Sequence, residues 1–157
     1  MNAYRLKPLR YPWPPVLYGT ALLLALVAAQ FSPLPVGSGH PWMFRMGGLL
    51  LFIAAALLDI WAMKTLFEHQ TPFTNTGCAR HLVKTGPYRL TRNPIYLGYT
   101  LATIGLGLMM GNGWLLLAAL MAAIGIRFAV IRCEEQHLLA RFGIDYEYYC
   151  RRTRRWI

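Results

Sequence analysis

The sequence has no serine in a nucleophile elbow, no HExxH pair and no cysteine–histidine cluster at metal-ligating spacing, so none of the usual hydrolytic or metal constellations is present. Cysteine is scarce. Cys78, Cys133 and Cys150 are an odd number, far apart, and read as reduced thiols without a metal or catalytic role. His69, His81 and His137 are equally scattered and read as hydrogen-bonding or interfacial residues. Gly105, Gly107 and Gly111 are misspaced for a dinucleotide fingerprint and no strand pattern precedes them; small residues that let helices pack closely in lipid account for them better. Pro33 and Pro35 follow the first apolar run without a small-residue cleavage pattern, so no cleavable signal peptide is expected.

Acidic residues are few as well: 6 Asp and Glu stand against 16 Lys and Arg, a net charge of +10 in a chain that is 56% hydrophobic. A nucleic-acid binder would explain the charge but not the apolar runs, so nucleic acid is not the expected partner. A membrane protein explains both, because basic residues gather on the cytoplasmic side and beside anionic lipid. The 157 residues allow one domain, and the expected fold class is an all-α integral membrane protein with four spans, at about 16–31, 43–63, 94–110 and 113–130. Gly111-Asn112-Gly113 forces the last two spans into a tight hairpin. Residues 131–157 read as an amphipathic helix ended by Gly143 and a basic tail, whose Arg and Trp suit the membrane surface. Fifteen of the sixteen Lys and Arg then fall on one side, Arg45 alone on the other. Both termini are therefore expected in the cytoplasm, with a bacterial inner membrane as the setting.

The polar connector at 69–93 carries the distinctive chemistry. Gly86-Pro87 and Asn93-Pro94 break any helix there, and Tyr88 and Tyr96 thread a basic run. Irregular backbone beside membrane spans suits a polar ligand. Glu134 and Glu135 follow the fourth span at the base of the cationic tail and need something positive to meet; intramolecular Arg pairing and a ligand ammonium are both open. Asp59, inside an apolar run but about one turn from its polar boundary, reads either as a functional candidate or as a partner for a nearby Arg or Lys.

LVKTGPYRLTRNPIYLG (Leu82 to Gly98), joined across one helical hairpin to EEQHLLARFGIDYEYY (Glu134 to Tyr149), closely resembles the isoprenylcysteine carboxyl methyltransferases and related phospholipid methyltransferases. The resemblance covers roughly the C-terminal half. It implies an integral membrane enzyme using S-adenosylmethionine, bound without a Rossmann domain by the loop before the hairpin and the helix after it. Positions matching the family's cofactor contacts are Arg80, His81, Leu82, Val83, Tyr88, Asn93, Pro94, Ile95, Tyr96 and Glu134. Glu134 suits the cofactor's ammonium, loop amides its carboxylate, and an aromatic face of Tyr88 or Tyr96 the adenine or sulfonium. The acceptor implied is lipophilic, a prenylcysteine-type carboxylate or a phospholipid amine, arriving sideways from membrane lipid.

Two positions depart from the pattern. The family's loop often reads His-Pro where this chain has Asn93-Pro94, which counts against an essential base there. The Arg that meets a substrate carboxylate one turn before the first Glu is here Val130. Arg127, about two turns before Glu134, is the candidate for that role and equally reads as a snorkelling helix-end Arg. No residue is assigned to proton transfer. A non-catalytic protein docking anionic lipid or a partner through its basic face is the competing reading, although such a protein has no use for the Tyr88/Asn93/Pro94/Tyr96 set with Glu134. Methylation of a small membrane-soluble thiol or similar molecule is a third.

Overall fold

A computed structural model describes residues 13–37, 39–70 and 81–156. The chain is all-α: helices α1 (Trp13–Phe31), α2 (Pro41–Glu68), α3 (Pro94–Met110), α4 (Gly113–Ile126), α5 (Arg132–Phe142) and α6 (Ile144–Arg152), with no strand among the described residues. Pro41 and Pro94 open α2 and α3 at first-turn positions, where a missing amide hydrogen costs nothing. Gly111 ends α3 in the left-handed region (φ +61°), which only glycine adopts freely. Asn112 then caps α4 by accepting from the Trp114 amide at 3.0 Å, so the three-residue hairpin forms as its sequence requires.

Three helical stretches are long and apolar enough to cross a membrane: Pro14–Phe31, Pro41–Glu68 and Gly113–Phe142. The third expected span, α3, is a shorter apolar helix of 17 residues. Two helices continue beyond the C-terminal ends of the expected spans. α2 continues past Met63 to Glu68, where Lys64 and Glu68 pair one turn apart at 3.9 Å. Beyond the fourth expected span, α4 runs through a π-helical turn, Arg127–Ile131, directly into α5, and Gly143 ends that long helix as anticipated.

α2 and α3 pack antiparallel and very closely. Gly48 faces Gly105, and a Cβ on either would come within 2.6–2.8 Å of the other's carbonyl oxygen. Gly98 lies against Asp59 farther along, and Gly86 against Thr65 and Trp61 at the end. α1 packs along α4, with Ala25 beside Leu115 and Ala118, while its Tyr18 hydroxyl sits 2.5 Å from that of Thr100 on α3. At one end of the bundle the α1–α2 loop pairs with the hairpin turn, Val36 donating to Gly111 and Gly113 to Leu34. At the other end the connector, α5, α6 and the tail meet. Leu23, Leu24, Leu50, Leu57, Leu120 and Met121 stay exposed, an outer surface suited to lipid.

Candidate functional site

The loop 81–93 is held from two sides. On the α2 side, Gly86 sits too close to Thr65 for any larger residue, and the Thr85 hydroxyl lies 3.4 Å from His69 Nε2. On the other side the C-terminal tail runs beside it: the Arg92 amide donates to the Arg154 carbonyl at 2.9 Å. The Thr91 hydroxyl and the Asn93 amide nitrogen both donate to the Arg155 carbonyl, at 3.1 and 2.9 Å. The Tyr149 hydroxyl on α6 donates to the Tyr88 carbonyl at 2.6 Å. Asn93 thus spends its side chain on fastening the tail.

The tail's charge is used in the same way. Arg155 grips Glu135 with two bonds, Nε to Oε1 at 2.8 Å and Nη2 to Oε2 at 2.5 Å, and Arg92 approaches the same carboxylate at 3.5 Å. Arg92 also donates to the Cys150 sulfur. The Glu135 bond raises the already high pKa of Arg155. Trp156, half-buried, packs against the cluster of Tyr18, Tyr96, Ile126, Val130 and Ile131.

Inside this clasp the two sequence motifs meet. The Tyr96 hydroxyl, on the first turn of α3, donates to Glu134 Oε1 at 2.7 Å, and Tyr96 is buried. Of the open alternatives for the adjacent acids, Arg pairing therefore describes Glu135, whereas the partner of Glu134 is a neutral hydroxyl. Tyr88 lies beside them, and its hydroxyl is pushed well above the ordinary tyrosine range, by burial first and then by Tyr149, Glu134 and Asp59. A cleft of about 530 Å³ opens on the outer side, lined by Arg92, Arg132, Glu135, Gln136, Leu139, Tyr146, Glu147 and Cys150. Tyr88, Tyr96 and Glu134 do not line it.

The remaining sequence candidates fall as follows. Val83 and Pro94 are buried, Leu82 and Ile95 half-buried, and His81 exposed. Arg80 lies outside the described residues, as do Arg5, Lys7, Arg10 and Cys78. Arg127 is exposed and is not brought to Glu134, whereas Val130 is fully buried. The π turn supplies the reason. Each of its residues advances the helix by less than the ~100° of an α-helix, so a seven-residue spacing that crosses it no longer returns to one face. Among the described residues no Arg or Lys pairs with Asp59, and its Oδ1 is buried without a hydrogen-bond partner. Sequence reasoning missed the contact between Asp59 and Gly98, which no local pattern signals.

Residues 43–145 match the phospholipid methyltransferase family. A similar protein is the nickel-cobalt-cadmium resistance protein NccN of Alcaligenes xylosoxydans xylosoxydans, 37% identical over 73 residues. That stretch is 46% of this chain and 33% of the relative, so the chain covers about a third of that protein's length. No solved structure matches.

Proposed function

Because the chain belongs to the phospholipid methyltransferase family, a family of membrane methyltransferases, we propose that it methylates a lipophilic acceptor at the cytoplasmic face using S-adenosylmethionine. The observation that carries this reading is the Tyr96–Glu134 hydrogen bond, which joins the two family-like motifs across the α3–α4 hairpin beneath the docked tail. The donor set fits the cofactor. Glu134, answered only by a neutral hydroxyl among the described residues, suits its ammonium group. Tyr88 and Tyr96 offer aromatic faces to the adenine or to positive charge, and the amides of the 81–93 loop suit its carboxylate. Bound there, S-adenosylmethionine would supply an already activated methyl group.

The protein's own contribution is then alignment and exclusion of water, not proton transfer. Tyr96 fixes the orientation of Glu134, and Tyr149, Asn93 and Thr91 hold the loop and tail together over it. Asn93 has no basic nitrogen near neutral pH, so an amine acceptor must arrive deprotonated and a carboxylate acceptor needs no base. A prenylcysteine-type carboxylate and a phospholipid amine both meet the requirement of entry from lipid. The basic end of the bundle faces the cytoplasm on this reading, with both termini there.

Calorimetric titration of S-adenosylmethionine into the detergent-solubilised protein tests the proposal, with Glu134→Ala and Tyr88→Ala beside wild type. Binding by wild type that is lost in both variants supports it, and acceptors are then sought in lipid extracts. A well-folded wild type that binds nothing in the presence of lipid refutes it and leaves the basic docking protein as the better account.

A further inference from the structure

Asp59 is an acidic residue near the site that the reaction proposed above leaves without a task. It lies nine residues before the end of α2, roughly 13 Å along the helix axis at 1.5 Å per residue, within a stretch able to cross a membrane. A carboxylate kept in such surroundings is costly unless something positive meets it. None of the described basic residues does so. Lys64, five residues on, approaches Glu68 at 3.9 Å. Arg92 and Arg155 converge on Glu135. Oδ1 is buried and has no hydrogen-bond partner among the described residues.

The seam has nevertheless been shaped around this group. Opposite it stands Gly98, and a Cβ there would collide with the carboxylate. Gly98 is two residues beyond Tyr96, so the bare backbone that admits Asp59 belongs to the same turn of α3 that orients Glu134. The buried Tyr88 hydroxyl lies close enough to both carboxylates for each to disfavour its ionisation. This region therefore holds two acids, neither answered by a described Lys or Arg.

We propose that Asp59 is a cation-binding residue of the site, holding a positive group in the α2–α3 seam. The inference rests on the methyltransferase reading for the identity of that group, which is either the cofactor's sulfonium or the protonated form in which a lipophilic amine first binds. These share one chemistry, a positive charge carried on an apolar scaffold. An acceptor that presents a carboxylate to this seam would meet repulsion instead.

The test uses the full chain in dodecyl maltoside micelles, with wild type, Asp59→Asn and Gly98→Ala. Four probes are compared: S-adenosylmethionine, S-adenosylhomocysteine with its uncharged sulfur, dodecylammonium and dodecanol. Calorimetry reads the first pair, and tryptophan fluorescence the second, since Trp61 lies two residues from Asp59. We expect Asp59→Asn to weaken one cationic probe at least tenfold while the neutral member of its pair changes less than threefold. Selective loss of S-adenosylmethionine assigns the sulfonium, and selective loss of dodecylammonium assigns the acceptor's amine. Gly98→Ala, which displaces the carboxylate without removing it, should give the same selective loss. Unchanged binding of all four probes, or equal loss within both pairs, overturns the proposal. If wild type binds neither adenosyl compound, the methyltransferase reading fails, and the dodecylammonium–dodecanol pair alone decides for or against Asp59.

Discussion

Replacing Glu135 by Gln tests whether the basic tail is held by its charge. The carboxylate accepts two bonds from Arg155 and lies 3.5 Å from Arg92, so the amide that replaces it leaves two guanidinium groups facing each other without a counter-charge. Hydrogen bonds to charged groups contribute about 1.5–3 kcal/mol each when well buried. Here the Arg155 side chain is 32% exposed and that of Glu135 18%, so solvent screens the pair. A loss of about 1–2 kcal/mol is the appropriate expectation, equivalent to roughly a 5- to 30-fold rise in the population of the undocked tail. Arg151, Arg152 and Arg154 make that population measurable, because trypsin cuts the tail only when it is open. Mass spectrometry of timed digests in micelles should show cleavage accelerating by that factor, with the helical circular dichroism unchanged. Glu68→Gln, which removes an exposed pair (72% and 57%), should not alter the rate. A Glu135→Gln rate within twofold of wild type would refute the clasp.

Tyr96→Phe should weaken S-adenosylmethionine binding about tenfold, near 1.4 kcal/mol, by leaving Glu134 unoriented. In a calorimetric double-mutant cycle with Glu134→Gln the two losses should be strongly non-additive. Gly105→Ala places a Cβ 2.8–2.9 Å from the backbone of Gly48 and Phe52 and should cost about 1–3 kcal/mol, whereas Gly47→Ala, with nothing within 4 Å, should be neutral or slightly stabilising; denaturant melts in detergent separate them. Burial raises the hydroxyls of Tyr88, Tyr146 and Tyr149 above the ordinary tyrosine value. Their contribution to stability is therefore fully present below about pH 10 and is lost as pH rises beyond it, where the unfolded chain ionises first. Absorbance titration at 295 nm should show these three ionising late or only on unfolding.

The parts of this fold that were legible in the sequence are those written in local chemistry. Pro94, Gly111-Asn112-Gly113 and Gly143 set helix ends where their backbone preferences require, and hydropathy located the apolar helices. The resemblance paired Tyr96 with Glu134 in one site, and they are in contact. What escaped is of two kinds. A change of polarity marks where the expected spans end, at Met63 and Val130, but it does not mark a helix end: charged residues continue a helix readily, and no Pro or Gly lies between Gly125 and Gly143 to stop one. Contacts across the bundle were also invisible. Nothing near Asp59 in the chain announces Gly98, and nothing near Asn93 announces the Arg155 carbonyl, because both pairings are made by packing.

The contrast between Glu134 and Glu135 shows how one step along a helix divides the two roles of charge in this protein. Adjacent residues point about 100° apart. That rotation turns Glu135 toward the tail, where two arginines answer it, and Glu134 toward Tyr96, which supplies a hydrogen bond but no charge. Docking the tail thus cancels the outer carboxylate while covering the inner one. Arg92 and Arg155 consequently do little for the negative potential around Glu134 and Asp59, since both are engaged with Glu135. On the proposed reading a ligand binds near these two acids by bringing its own positive charge, and the basic tail selects for it by staying bound to Glu135. Loosening the tail should then weaken binding of the cationic cofactor without any contact between tail and ligand being lost, because the bonds that dock the tail also hold the 81–93 loop.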